Sequence, residues 1–126
     1  MNVDNILKVA DAIEHHSVPD MVFHMNYEFT KSPVVESADM KARGIGVRDC
    51  GAAACIIGWT NTVLPSSGPI GSFSRASQAL GLDYDTAESL FYPENYRFSY
   101  DDVTSEQAAS VLRKLASTGS VDWDVE

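Results

Sequence analysis

Apolar positions near the start of the chain fall at Ile6, Leu7, Ala10 and Ile13, with Asp11 and Glu14 turned away from them. This i, i+1, i+4, i+7 spacing predicts a helix from Val3 to His15. Pro19 bars its continuation. From Phe23 to Phe29 the period changes to two: Phe23, Met25, Tyr27 and Phe29 alternate with His24, Asn26 and Glu28, the pattern of a half-buried strand. The stretch from Thr30 to Arg48 contains Pro33 and Gly44-Ile45-Gly46, so it reads either as a long loop or as a loop returning in a second strand through Ile45 and Val47.

The run Asp49-Cys50-Gly51-Ala52-Ala53-Ala54-Cys55-Ile56-Ile57-Gly58-Trp59 predicts a buried helix. Asp49 is a favoured N-cap, alanine has the best helix propensity, and small residues beside Ile56, Ile57 and Trp59 suit close packing on several sides. Pro65-Ser66-Ser67-Gly68-Pro69 ends this helix near Leu64. Two short helices are expected next, Phe73 to Leu80 stopped by Gly81 and Tyr84 to Phe91 capped by Asp83, with Pro93 just beyond. Tyr92 to Tyr100 reads as irregular, aromatic-rich cover. Thr104-Ser105-Glu106-Gln107 is a capping box for a last helix that buries Ala108, Val111, Leu112 and Leu115 and closes at Gly119. The final Val121-Asp122-Trp123-Asp124-Val125-Glu126 alternates apolar and acidic, leaving Trp123 either docked or frayed.

The expected fold is therefore mainly α: a single domain over residues 1–126 with about five helices and a small β-hairpin allowed at 22–48, which would make it α+β. With 126 residues, 44% of them hydrophobic, the chain suits one compact core. Its first residues lack a signal-peptide pattern and no segment is a membrane-span candidate, so a cytoplasmic location is expected, with both cysteines as thiols.

The net charge of −9 is unevenly placed. Residues 83–126 hold ten acids against Arg97, Arg113 and Lys114, whereas the first 82 residues hold eight acids and six bases. Such a field repels phosphates and disfavours direct nucleic-acid binding. Within it, residues 83–102 combine six acids with six aromatics and one arginine. Asp83, Tyr84, Asp85, Glu88, Tyr92, Tyr96, Tyr100, Asp101 and Asp102 are the candidate partner-binding residues, a mixture able to anchor a protein with a basic surface. The competing expectations are that the charge only solubilises and that the aromatics only seal the core.

Other chemistry is less well signalled. Cys50 at a helix start, with His15, His16 or His24 as base, is the arrangement a thiol enzyme needs, but no family-specific nucleophile signature accompanies it. In a regular helix Cys55 would lie about 140° around from Cys50, which disfavours a disulfide. Zinc is disfavoured because the histidines lie 26 or more residues upstream of Cys50, unlike the short paired spacings of structural sites. Ser77, Gly81, Leu82, Ala87 and Leu90 approach helix-turn-helix spacing, yet the second helix offers Asp83, Tyr84, Asp85 and Glu88 where base and phosphate contacts need Lys, Arg, Asn or Gln. The loop with Lys31, Lys41, Arg43 and Arg48 could hold an anion against backbone N–H groups.

Four landmarks, Asp49-Cys50-Gly51 with Cys55-Ile56 and Gly58-Trp59, Leu80-Gly81-Leu82 with Leu90-Phe91-Tyr92-Pro93, Thr104 with Glu106-Gln107-Ala108-Ala109, and Thr118-Gly119 with Val121-Asp122-Trp123, carry a resemblance to small uncharacterised proteins of phage and proteobacterial genomes. The resemblance covers residues 49 to 123 and, more loosely, the first helix, departs at Ala52 where a threonine is expected, and implies a phage or prophage origin without implying any catalytic residue. The expectation is a non-catalytic acidic protein-binding module without cofactor or metal. Its concrete form is a phage-encoded inhibitor, of anti-CRISPR type, of a host nucleic-acid-handling or defence protein. The alternatives are a sponge for a small anionic signalling nucleotide, using Arg43 and Arg48, and a thiol enzyme using Cys50.

Overall fold

The computed structural model describes residues 1–15, 17, 21–25, 30, 38–42, 52–64, 71–93 and 103–123. Among them the chain is mainly helical, with six helices and one small parallel sheet: α1 Val3–His15, β1 Met21–Phe23, α2 Ala38–Ala42, β2 Ala52–Ala54, α3 Ile56–Val63, α4 Phe73–Leu80, α5 Tyr84–Phe91 and α6 Ser105–Thr118.

Helices α1 and α6 form the principal helix pair, and α3 and α4 pack against α1. On α1 the buried face is Ile6, Val9, Ala10 and Ile13, with Ala12 buried beside it. This i, i+3, i+4, i+7 set corrects the expected stripe: Val9 lies inside, while Leu7, rotated by about one residue's turn from Ile6, is 38% exposed. On α6 the expected Ala108, Val111, Leu112 and Leu115 are all buried, and Ala109 joins them. Arg113 of α6 then clasps α1 from outside, donating to Asp11 at 2.8 Å and Glu14 at 2.7 Å. The α6 capping box is complete, Thr104 Oγ1 accepting from the Gln107 N–H and Gln107 Oε1 accepting from the Thr104 N–H, each at 3.1 Å.

The largest departure concerns the alanine run. Ala52–Ala54 form a strand paired in parallel with Met21–Phe23, in the register Met21 to Ala52, Val22 to Ala53 and Phe23 to Ala54. The helix begins only at Ile56, with Cys55 as its N-cap residue, so the start expected at Asp49 is corrected; Asp49 itself lies outside the described residues. Alanine's helix propensity amounts to only tenths of a kcal/mol per residue, and the hydrogen bonds and burial gained beside β1 exceed it. Ala53 and Ala54 are fully buried, and Ala53 also exchanges backbone hydrogen bonds with Thr30 on its other side, at 2.8 and 2.9 Å.

The hairpin allowed at 22–48 lies largely outside the described residues, and the small sheet that is described is parallel. β1 pairs with β2 across a long connection, and its residues do not alternate: Met21, Val22, Phe23 and His24 are all buried, because both faces of the strand are covered. The returning strand expected through Ile45 and Val47 lies outside the described residues, and the short helix α2 was not signalled by the sequence pattern. α3 is buried around its circumference, as expected, and Trp59 donates its indole N–H to Val22 O at 3.3 Å, tying the helix to β1.

Candidate interaction surface

The α4–α5 hairpin carries the described part of the acidic, aromatic segment, and the sequence dictates its geometry closely. Ser72 caps α4 by accepting from the Arg75 N–H. Gly81 closes it in the left-handed region at φ +68°. Asp83 then caps α5, its carboxylate accepting from the Thr86 N–H at 2.7 Å. That hydrogen bond holds the Asp83 carboxyl below its ordinary value, since it is made to the charged form. Ala76, Ser77, Leu80, Ala87 and Leu90 are buried, so the hairpin is built into the core.

Side chains from three other parts of the fold moor the hairpin by donating to its backbone carbonyls. Asn5 Nδ2 reaches Ala79 O at 2.8 Å, and Asn61 Nδ2 reaches Ser72 O at 3.0 Å. Trp123 Nε1 reaches Ser89 O at 3.1 Å, so Trp123 is docked, and the carbonyls at Ala79 and Ser89 are ones that a helix end leaves without a helical partner. The Asn2 N–H adds a backbone bond to Leu80 O at 2.8 Å.

On this scaffold Asp83, Tyr84 and Asp85 are exposed, while Glu88 and Tyr92 are half-buried. Tyr84 is 65% exposed, the most open of the large hydrophobic side chains described. Its hydroxyl donates to Glu88 Oε2 at 3.0 Å, and this bond, with the charges of Glu88 and Asp85, raises the phenol above its ordinary value. Phe73, at the first position of α4, links the aromatics. Its ring centroid lies 5.6 Å from Tyr84, 5.5 Å from Phe91 edge-on, and 5.9 Å from Tyr92 in a near-parallel stack.

The structure therefore brings together Asp83, Tyr84, Asp85, Glu88 and Tyr92 of the expected surface; Tyr96, Tyr100, Asp101 and Asp102 lie outside the described residues. Phe73 was missed because its own helix reads as a core hairpin element. The available signal was an aromatic directly after a serine cap, in the helix adjoining a segment rich in rings.

The other candidate chemistry is only partly in view. Cys55 is buried at the junction of β2 and α3, as the residue before the helix and not within it, and its side chain makes no capping hydrogen bond. His15 is exposed at the end of α1, 3.7 Å from Glu14, whereas His24 is fully buried with its backbone N–H donating to Ala54 O. Cys50, His16, Lys31, Arg43 and Arg48 lie outside the described residues. Among the described residues no three His, Cys, Asp or Glu side chains gather as metal ligands, and no helix is long and apolar enough to cross a membrane. Comparison with protein-family models, curated proteins and solved structures finds no match to this chain.

Proposed function

We propose that the protein is a non-catalytic acidic binding module whose α5 face engages a protein with a basic surface. The supporting observation is the 65% exposure of Tyr84, between two aspartates, on a hairpin held rigidly by caps and mooring bonds. An open aromatic ring inside a charged rim suits an interface anchor. With the resemblance to phage proteins, the concrete reading is an inhibitor that acts in the host cytoplasm on a nucleic-acid-handling or defence protein, occupying a basic groove that would otherwise hold phosphates.

The test is capture from host lysate on immobilised protein, with Asp85→Lys as the control. Asp85 is exposed and serves no cap, so its reversal leaves the fold in place. Asp83 is a poorer choice for reversal, because lysine there also removes the α5 cap, at a cost of about 1 kcal/mol; Asp83→Asn removes the charge and keeps an acceptor. The wild type should retain a basic protein that elutes as salt rises, and Asp85→Lys should retain much less. Equal retention by both would contradict the proposal.

A further inference from the structure

We infer that the exposed ring of Tyr84, backed by Phe73 and flanked by Asp85 and Glu88, forms a seat for an arginine side chain of the basic partner, discriminating it from lysine by stacking. This rests on the binding reading above and specifies what the surface recognises.

The argument begins with the rings. Phe91 is buried and meets Phe73 at 87°, fixing it from the core side, while Tyr92 lies within 7° of the Phe73 plane. Tyr84 is tilted 51° to Phe73 and is held at its far end by the 3.0 Å bond to Glu88. The exposed ring is thus set in orientation before any partner arrives, which lowers the entropy lost on binding. A cation on such rings meets the negative faces of their π-systems, with carboxylates beside them. Guanidinium fits both at once, because its plane can stack on an aromatic face while its edge donates to a carboxylate. Ammonium is compact and strongly hydrated, and gains chiefly from the charges.

The experiment titrates the intact protein by calorimetry with two capped glycine–serine peptides, identical except that one carries arginine where the other carries lysine. The arginine peptide should bind about fivefold more tightly, the scale of one exposed cation–π contact. Tyr84→Ala should abolish that preference while leaving lysine-peptide affinity nearly unchanged, and Tyr84→Phe, which keeps the ring and loses the bond to Glu88, should retain most of it. Because Tyr84 is exposed, both variants should remain folded, which circular dichroism checks. Equal affinity of the wild type for the two peptides overturns the arginine seat and leaves the basic-partner reading standing, provided Asp85→Lys weakens both. Absence of binding by either peptide overturns both readings.

Discussion

Alanine at Gly81 should cost clearly more than alanine at Gly119, although both glycines end a helix in the left-handed region, at φ +68° and +78°. Each substitution places a side chain in a conformation that costs an L-residue about 1–2 kcal/mol, partly offset by the reduced freedom of the unfolded chain. At Gly119 nothing lies within 4 Å of the new Cβ, so the net loss should be about 1 kcal/mol. At Gly81 the new Cβ would sit 2.9 Å from the Asn2 nitrogen, closer than real Cβ atoms come, and 3.2 Å from the Met1 Cα, a tight contact. The first residues must then move, and the Asn2 to Leu80 hydrogen bond is stretched or lost, adding about 1 kcal/mol. Gly81→Ala should therefore cost about 2–3 kcal/mol. Urea unfolding of both variants measures the difference through the transition midpoint at unchanged slope. Gly119→Asn, which tolerates the left-handed region, should recover most of the loss at that site. Equal losses for the two alanine variants would refute the close approach of the chain's first residues to the α4–α5 turn.

Trp59→Ala removes a fully buried side chain together with its bond to Val22, and should cost about 3–5 kcal/mol by chemical denaturation. Cys55→Ala should retain peptide binding, because the thiol is buried in the core, whereas Cys55→Ser should lower the melting temperature further by burying a hydroxyl. The Arg113 clasp predicts a pH dependence. The Glu14 carboxyl lies below its ordinary value, chiefly through its hydrogen bond from Arg113, so its stabilisation is present above the unfolded-state value and is lost as pH falls through the folded one. Glu14→Gln should accordingly flatten part of the acid limb of a melting-temperature profile, and an unchanged limb would count against the clasp.

Much of this fold is legible in the sequence because local signals and tertiary burial agree. Thr104 with Gln107, Asp83 with Thr86, and Gly81 and Gly119 place helix ends that the structure reproduces, since capping is settled within a few residues. The alanine run shows where that agreement fails. Nothing local distinguishes Ala52–Ala54 in a helix from the same residues in a strand; the decision comes from Met21–Phe23, some thirty residues away, which Ala53 and Ala54 accompany into the core. His24 was misjudged for a related reason: the alternation that turned it outward assumed one wet face, and β1 has none among its described residues. At the surface, Asp83, Tyr84, Asp85 and Glu88 were legible as a charged helical turn with an aromatic. The ring cluster around Phe73 was not, because it depends on how two short helices meet.

The central claim, that the acidic aromatic face of α5 receives a basic partner, is tested most directly by amide chemical-shift mapping of the labelled protein titrated with the arginine peptide. The account predicts shifts concentrated at Phe73, Asp83–Asp85, Glu88 and Tyr92, which fade as salt is raised. Shifts confined to α1 and α6, or none at peptide concentrations well above those needed for an exposed ion pair, would contradict it.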